Sequence, residues 1–394
     1  MARLSRRDFV AGAAAATALG ASQAAAGANQ QFGDTPIAGT VTIAVVAPFT
    51  GDQIRFGEQM GNGVRAALDD ANQLKGTLDK AFTSQTFDDQ NLLASGLVNA
   101  QFACDNSEVV AVIGHLSGRI TEAAMPTYQN AQMQVICPAS SYDRLTSHGY
   151  GNILRLQTKD STEGRLAARY INKTIKPKQA VGLYQDGDYG ADVMVGFLEQ
   201  MQGDKVNALP ISFSWSKPDF VAVTKQILAA KPDVVFLAGE TGDMGGLLPA
   251  LATAGYTGPI YASQGFFDAQ TIAKYGAAAE GLTISSSMPP LTIAPGAFRI
   301  KNDFENKYGA MTPLAAFAYA AAQIVVSVVR RTNANDRIAI ARGLNVTSTF
   351  DTVVGALAFQ NDGDPVDPNV YFYGVRSGAW KYVASAVPTS YIVK

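Results

Sequence analysis

Two short segments of this sequence combine small residues with hydroxyl side chains in a pattern suited to binding an anion. Gly114–Ile120 places Ser117 and Gly118 between an apolar run and a stretch of helical period. Pro138–Ser141 follows the next apolar run and contains two serines. Where a parallel strand ends and a helix begins, free backbone N–H groups and the helix dipole attract negative charge. The two segments together predict a site for one small carboxylate.

Signatures of covalent catalysis are scarce. His115 and His148 are the only histidines, and Gly114–Gly118 departs from the Gly-x-Ser-x-Gly nucleophile elbow because its serine is displaced. The sequence contains no glycine-rich phosphate loop and no His-Glu-x-x-His helix. Asn361–Asp364 has the composition of a calcium loop but lacks the twelve-residue frame, which favours a polar turn. We therefore expect neither enzyme activity nor a cofactor or metal.

The composition is typical of a folded protein with a large core. The chain has 394 residues, of which 47% are hydrophobic and 16% charged, and a formal net charge of −2. This balance excludes a disordered chain and provides no basic surface, so no nucleic-acid partner is expected. Two cysteines, Cys104 and Cys137, and two histidines leave few ligands for a structural zinc ion.

Residues 1–26 have the pattern of an export signal. Arg6 and Arg7 precede an alanine-rich apolar run, Val10–Leu19, and small residues then continue to Ala26. The arginine pair with Phe9 resembles a twin-arginine signal, and an ordinary signal with chance arginines is the alternative. The run is much shorter than the roughly 20 residues of a membrane span. The sequence predicts a periplasmic protein that is not embedded in the membrane.

A second apolar stretch, Leu314–Val329, lies between Pro313 and Arg330. It is shorter than a typical span and contains Gln323 and Ser327, so we expect a buried helix of a large core.

From Val41 onward, short runs rich in Val, Ile and Phe alternate with stretches of helical period. Val41–Ala47 predicts a strand and Gly57–Leu74 a helix with its apolar positions on one face. The rhythm restarts after Gln157, with Ser161 as the expected cap of the next helix. Such alternation is typical of an α/β fold, and we expect two Rossmann-like lobes with parallel sheets.

The last hundred residues predict helices and one hairpin, Asn369–Val375 with Trp380–Val383, which is too little sheet for a third lobe. This part should return to the earlier lobes and make both discontinuous. We expect an N-terminal lobe of residues 37–157 plus 288–373 and a C-terminal lobe of residues 158–287 plus 374–394. A multi-strand hinge, including Leu154–Thr158 and Thr283–Ser287, would join them.

Several motifs are similar to those of the leucine/isoleucine/valine-binding proteins, and the similarity extends in order over nearly all of the chain after residue 26. The motifs are Ile43–Val46, Phe56-Gly57, Val112–Ser117, Pro138–Ser141, Leu145-Thr146, Ile153–Arg155 and Asp188–Gly190. That family comprises the periplasmic substrate-binding components of branched-chain amino-acid ABC transporters, with the type I binding-protein fold. The resemblance implies hinge closure on a small carboxylate in an interlobe cleft, and a membrane permease as partner.

The resemblance also implies roles for individual residues. Phe56 corresponds to an aromatic wall near the ligand side chain, with lobe core as the alternative, and Tyr189 to a second-lobe tyrosine that reaches across the cleft. For each serine, a turn hydroxyl bonded to its own backbone is the alternative. The ligand's α-carboxylate would be held by main-chain N–H and hydroxyl groups of Ser117, Gly118, Ala139 and Ser141, with Ser140 between the last two.

Two positions depart from the family pattern. The acidic residue that pairs with the α-ammonium corresponds to Gln264, and a neutral amide cannot form that ion pair. Glu240 stands where the family often has an aromatic residue, and it could take over the ammonium. Alternatively, the site binds an acid without that group. Phe266 and Phe267 would suit a flat aromatic ligand or form a packed pair.

The short-range disulfide of the family corresponds to Asn91 and Ser117, which are not cysteines. Cys104 and Cys137 are a different pair, and burial as two free thiols is favoured over a bond between them.

The sequence therefore predicts a periplasmic receptor for a branched-chain or other apolar amino acid, acting in an ABC transporter. One alternative is a receptor of the same fold for an ammonium-free acid such as an aromatic carboxylate or 2-oxo acid. The other is a sensory ligand-binding protein.

Overall fold

The computed structural model describes residues 39–73, 80–214, 216, 218–292, 296–333, 335–386 and 391–393, so the expected signal at residues 1–26 lies outside it. The strands are β1 Gly39–Ala47, β2 Lys80–Asp88, β3 Val109–Gly114, β4 Gln134–Cys137, β5 Ile153–Arg155, β6 Gln179–Gln185, β7 Asn207–Phe213, β8 Val234–Ala238, β9 Ile260–Ala262, β10 Thr283–Ser286, β11 Phe350–Thr352, β12 Gly355–Leu357, β13 Val370–Arg376, β14 Ala379–Ala386 and β15 Tyr391–Val393. The helices are α1 Ile54–Gln73, α2 Leu93–Asp105, α3 Gly118–Asn130, α4 Asp160–Thr174, α5 Asp188–Gly203, α6 Phe220–Ala229, α7 Thr241–Met244, α8 Leu247–Thr253, α9 Ala269–Tyr275, α10 Ala297–Tyr308, α11 Pro313–Thr332 and α12 Arg337–Val346. Short 3₁₀ turns occur at Asp143–Thr146, Gln264–Phe266 and Gly276–Ala279.

The chain forms two compact units. Unit 1 contains the residues up to Ser140, Arg144–Gln157 and Leu291–Val366. Its five-stranded sheet has the order β2-β1-β3-β4-β5, and every pairing in it is parallel. All residues of β3 and β4 are buried, which explains why these strands are continuous apolar runs rather than alternating ones.

Unit 2 contains Ser141–Asp143, Thr158–Pro290 and Asp367–Lys394. Its sheet has the order β15-β14-β13-β10-β9-β8-β6-β7; the pairings from β7 to β10 are parallel, and those from β10 to β15 are antiparallel. Alternate residues of β8 enter different cores, Val235 and Leu237 one and Val234 and Phe236 the other. The α/β fold with parallel sheets is confirmed.

The expected segment 283–287 is wrong as a crossing. Thr283–Ser286 is the buried strand β10, in agreement with the strand that the run Leu282–Ser286 predicts, and it pairs with β9 and β13 inside unit 2. The chain passes to unit 1 after Pro290. The predicted terminal hairpin is confirmed as β13 and β14, which turn at Ser377 and Gly378 with φ of 54° and 68°. Because β13 pairs with β10, the structure groups the chain from Asp367 onward with unit 2, whereas the sequence placed residues up to 373 in the other lobe.

The apolar stretch near residue 320 is α11, a buried helix as expected. It begins at Pro313 after Thr312, whose hydroxyl accepts a hydrogen bond from Ala315 N–H, and it ends at Thr332, followed by Asn333 in the left-handed conformation. Among the described residues, it is the one helix long and apolar enough to cross a membrane, and 72% of its apolar window is buried. It is therefore a core helix of unit 1.

The expected cap at Ser161 is wrong. Helix α4 begins at Asp160, so its N-cap is Lys159, two residues before Ser161, and the Ser161 N–H donates to Asp143 Oδ1 at 3.0 Å. A carboxylate from a separate turn thus provides the cap, which local sequence does not reveal.

Candidate functional site

In unit 1, the two predicted anion-binding segments follow neighbouring strands that end at the same level. The register pairs Val112 with Val135 and Ile113 with Ile136, so β3 ends at Gly114 beside the end of β4 at Cys137. The loops that follow therefore leave the same edge of a parallel sheet, where α/β proteins commonly bind ligands.

The first of these loops leads into α3. Ser117 occupies the N-cap position, and its side chain makes no capping hydrogen bond. Gly118 is the first helical residue. The loop is held by Thr121, whose hydroxyl and backbone N–H both donate to the Ser117 carbonyl, at 2.8 and 3.0 Å. The Ser117 side chain therefore does not cap the first backbone N–H groups of this 13-residue helix.

The second loop is anchored mainly through its carbonyls. Gln157 Nε2 donates to the carbonyls of Pro138 and Ala139, both at 2.9 Å. Burial raises the pKa of the Cys137 thiol, and hydrogen bonds from the backbone of Ser140 and Ala139 oppose that rise. The Ala139 N–H that the family resemblance assigns to the ligand carboxylate therefore faces a cysteine sulfur in this structure.

The buried side chain of His115 supports the loop between β3 and α3. Its Nδ1 lies 2.7 Å from Asp89 Oδ2 and its Nε2 lies 2.9 Å from Tyr128 Oη, and all three residues are completely buried. Burial is the first cause of the raised pKa of Tyr128. Since both ring nitrogens are occupied, His115 holds the β3–α3 loop and is not placed as an exposed base.

Phe56 lies in the first turn of α1, where it is half-buried. The Arg55 guanidinium carbon sits 4.4 Å from the centre of its ring, which is a cation–π contact. Phe56 is thus not part of the fully buried core of unit 1, and its role as a ligand wall stays a prediction.

In unit 2, Tyr189 and Gln264 come together at a turn. Gly265 N–H donates to Tyr189 Oη at 3.0 Å, and the Ser263 side chain also bonds the phenol. Removal from water raises the pKa of Tyr189 well above its usual value, and the charges of Glu163 and Asp160 add to the rise. The tyrosine therefore stays a neutral hydrogen-bonding group.

Glu240 lies beside the same turn. A Cβ on Gly265 would lie 3.0 Å from Glu240 Cα and 2.3 Å from the Gly239 carbonyl, so the two segments nearly touch. Glu240 N–H donates to Gln185 Oε1 at 3.2 Å, and the residue as a whole is exposed. Tyr189, Glu240 and Gln264 are thus assembled within unit 2.

Sequence reasoning missed two buried carboxyl groups near these residues. Asp160 and Glu163 lie in the first turn of α4 with 2% and 0% of their surface exposed. Burial raises the pKa of Asp160 well above its usual range, and a hydrogen bond with Ser141 opposes this. Burial likewise raises the pKa of Glu163 to about 7, against hydrogen bonds from Ser285 and Gln264. Acidic residues at a helix start are ordinary, so the sequence carried no signal of their burial.

Ser141 belongs with this group rather than with the unit 1 loop. Its carbonyl accepts from Asp160 N–H at 3.0 Å, and its side chain bonds the Asp160 carboxyl. Asp143, Asp160 and Asp192 each bring one oxygen within 4.8 Å of the others. Three such ligands fall short of the six to eight oxygens around Ca²⁺, and Asp143 already caps α4, so we assign no metal there.

Comparison with known proteins identifies the family of the chain. The family model of the periplasmic binding proteins matches residues 40–379. The chain belongs to the periplasmic binding protein family. Two curated relatives are the leucine-specific-binding protein of Salmonella typhimurium, 25% identical over 83% of this chain and 89% of the relative, and a Leu/Ile/Val-binding protein of Rhizobium johnstonii, 24% identical over 86% and 92%.

Solved periplasmic binding proteins show the same fold. A leucine-binding protein of Thermotoga maritima has a TM-score of 0.78 and 23% identity, covering 89% of this chain and 99% of the other. A solute-binding protein of an R. palustris ABC transporter, solved with benzoate, has a TM-score of 0.76 and 17% identity, covering 90% and 98%. The resemblance to the leucine/isoleucine/valine-binding proteins and the type I fold are thus confirmed.

Two alternatives left open by the sequence are resolved in this family member. Cys104 and Cys137 are both free and buried. Phe266 is completely buried, and Phe267 stacks on Tyr373 with ring centres 4.5 Å apart. The two phenylalanines therefore belong to the packing of unit 2.

Proposed function

We propose that this protein is the substrate-binding component of an ABC transporter and binds a small carboxylate without reacting with it. The observation that carries the proposal is the pair of loops at the ends of β3 and β4, with Ser117 and Gly118 at the start of α3. A carboxylate at that edge would receive backbone N–H groups and a favourable helix dipole. The engagement of both nitrogens of His115 supports binding without catalysis.

The proposal assigns ligand contacts to residues of both units, which would close on the ligand as their interactions favour the closed state. Phe56, Ser117, Gly118, Ala139 and Ser140 would come from unit 1, and Ser141, Tyr189, Glu240 and Gln264 from unit 2. Export to the periplasm, by the twin-arginine route, and delivery to a membrane permease complete the proposal.

The favoured ligand class is an apolar amino acid. Curated relatives are named for leucine or for Leu/Ile/Val, and Glu240, an exposed acidic residue, lies beside the turn that contains Gln264. An ammonium-free acid is the second candidate. It is favoured by the neutral amide of Gln264 and by structural relatives solved with benzoate, 3,4-dihydroxybenzoic acid and 4-hydroxybenzoate.

A thermal-shift panel distinguishes these candidates. Leucine and phenylalanine would be paired with their 2-oxo acids, and benzoate and 4-hydroxybenzoate added. Because a ligand stabilises the state that binds it, a ligand at 100 times its Kd should add about 2.7 kcal/mol and raise Tm by several degrees. Stabilisation by the amino acids alone supports the first candidate, and stabilisation by ammonium-free acids alone overturns it. No shift with any carboxylate contradicts the proposed function.

A further inference from the structure

Glu163 connects three elements of unit 2 through one carboxyl group. The side chain leaves α4 completely buried, and its Oε1 accepts from the Gln264 backbone N–H at 2.7 Å and from Ser285 Oγ at 2.6 Å. Its Oε2 is buried and has no hydrogen-bond partner among the residues that the structure describes. One oxygen thus makes two bonds while the other makes none, which is costly for a buried carboxylate.

The bond to Gln264 supports a turn on which the unit 2 half of the proposed site depends. In the turn Ser263–Gly265, one backbone N–H donates to Glu163 and the next donates to Tyr189 Oη at 3.0 Å. Ser263 Oγ exchanges two 3.1 Å hydrogen bonds with the backbone of Gly239, next to Glu240. Glu163 is therefore placed to fix the proposed ligand contacts without being one of them.

Two titratable groups face this carboxyl group. Asp160 lies one turn earlier on α4 and is itself buried. Besides burial, the charges of Asp143 and Asp192 also raise its pKa. Tyr189 faces it from α5, with a pKa raised well above the usual value by removal from water. The groups that reach Glu163 from the turn and from β10 are a backbone amide and a serine hydroxyl, which do not titrate.

We propose that Glu163 is the positioning residue of the unit 2 half of the ligand site, and that its ionised form holds the turn Ser263–Gly265 in the ligand-binding conformation. Protons are then negative effectors of ligand binding. This inference rests on the proposed function. It adds the proton as an effector that regulates ligand binding at the same site.

The structure indicates which oxygen of Glu163 is protonated. Oε2 is the oxygen with no partner, so it is the atom that takes up the proton as the pH falls through about 7. Oε1 then changes from a charged acceptor to a neutral one. Hydrogen bonds to a charged acceptor are roughly twice as strong as neutral ones, so the bonds to Gln264 and Ser285 weaken together. The turn becomes more mobile, and a ligand must pay for ordering it again.

The test uses the full-length protein with the tightest ligand of the carboxylate panel. Isothermal titration between pH 5.5 and 8.5 should give a Kd about three- to tenfold larger at the lower pH, the range expected when charge-assisted hydrogen bonds become neutral. In Glu163→Gln the amide carbonyl keeps both acceptor bonds without the charge. Its Kd should be independent of pH and close to the wild-type value at pH 5.5.

Three further variants test whether the pH dependence of Kd comes from Glu163. Glu199→Gln, at an exposed glutamate paired with Arg165, should keep the wild-type profile. Ser285→Ala removes one donor, so it should weaken binding at pH 8.5 and keep part of the pH dependence. Asp160→Asn should shift the profile and not abolish it. A pH profile that survives in Glu163→Gln but vanishes in Asp160→Asn overturns the proposal.

A second measurement needs no ligand and separates the two proposals. Amide exchange at Gln264 and Gly265, followed by NMR and corrected for intrinsic pH dependence, should show weaker protection at pH 5.5 than at 8.5 in the wild type and no such change in Glu163→Gln. Equal protection at both pH values overturns the role of Glu163 whatever the ligand. Altered protection without binding of any carboxylate contradicts the proposed function and leaves the turn contact established.

Discussion

Arg155 Nη2 lies 2.6 Å from Asp364 Oδ1, although 209 residues separate them in the chain. Arg155 Nε makes a second bond to the same oxygen at 2.9 Å, and Thr146 Oγ1 makes a third at 2.8 Å. The arginine side chain is completely buried and the aspartate 7% exposed. This ion pair joins the segment around residue 364, which belongs to the later part of unit 1, to the edge strand β5 of the same unit.

Loss of the aspartate should therefore be costly. Asp364→Ala leaves a buried guanidinium without its counter-charge, and we expect a loss of about 3–5 kcal/mol in the free energy of unfolding of unit 1. Urea unfolding monitored by circular dichroism measures it. As a control, Asp303→Asn removes an exposed ion pair with Arg299 and should change the free energy by less than about 0.5 kcal/mol. Equal losses in the two variants would show that the buried pair has no special role.

The burial of Glu163 predicts how stability depends on pH. Its folded-state pKa is about 7, above the usual 4.5, so folding favours the protonated form. The cost of burying the charge is absent below pH 4.5, grows as the pH rises to about 7, and is complete above that. The difference between a pKa of 4.5 and one of about 7 corresponds to on the order of 3 kcal/mol. This contribution lowers stability as the pH rises, opposite to that of an ordinary ion-paired acid.

Glu163→Gln removes the charge and keeps the shape. We expect the variant to match the wild type near pH 4.5 and to exceed its free energy of unfolding by a few kcal/mol at pH 8. Urea titrations at a series of pH values give this difference directly. The same substitution is expected to weaken ligand binding at pH 8, so stability and affinity should move in opposite directions. A variant less stable than the wild type at pH 8 contradicts the cost assigned to the carboxylate.

The sequence was sufficient for the fold where each element carries its own signal. Strand β3 is buried along its whole length and therefore appears as an uninterrupted apolar run, and α11 begins after a threonine cap with Pro313 at its first position. Pairing between distant elements carries no such signal. The antiparallel pairing of Thr283–Ser286 with β13, which keeps this segment within unit 2, has no local signal.

The residues of the candidate site show the same difference between local and long-range signals. The strand end and helix start around Ser117 and Gly118 were recognisable because they are adjacent in the chain, whereas contact of these residues with a ligand stays a prediction. Glu163 was not, because its partner Gln264 lies 101 residues away and a first-turn glutamate usually faces water. Tertiary structure alone converts such a residue into a buried anchor.

The two cysteines should behave as unreactive thiols. Cys137 is completely buried and Cys104 nearly so, and burial raises the pKa of Cys104 to about 11. Since the thiolate is the reactive form, a disulfide-exchange reagent at pH 8 should label neither cysteine in the native protein. It should label both after denaturation without a reductant. Absence of reactive thiols in the denatured protein would instead demonstrate a disulfide.

Glu240 provides a test of ligand charge recognition. If its carboxylate takes the α-ammonium, Glu240→Gln should weaken leucine binding by about tenfold, the loss expected for one hydrogen bond to a charged group. Binding of the corresponding 2-oxo acid should be unchanged, because that ligand has no ammonium. Isothermal titration of both ligands, with Glu199→Gln as the control, makes the comparison. Equal weakening of binding for the two ligands would show that Glu240 does not interact with the ammonium group.

Reciprocal glycines set the distance between α4 and α5. A Cβ on Gly164 would lie 1.8 Å from the Val193 carbonyl, and a Cβ on Gly196 would lie 1.8 Å from the Ser161 carbonyl. Each obstacle is backbone, so the helices themselves would have to separate. Gly164→Ala should therefore cost about 3 kcal/mol or more, at or above the upper end of ordinary overpacking.

A third glycine of the same helix pair separates this packing effect from helix propensity. Gly203 ends α5, and beyond its own helix turn no atom of the described residues lies within 4 Å of an added Cβ. Gly203→Ala should therefore be neutral or stabilising by up to about 1 kcal/mol. Urea unfolding and ligand titration of both variants complete the test. Because α4 carries Glu163 and α5 carries Tyr189, Gly164→Ala should lower ligand affinity as well as stability, whereas Gly203→Ala should lower neither. Unchanged affinity in a destabilised Gly164→Ala variant would show that the helix spacing does not position these two side chains.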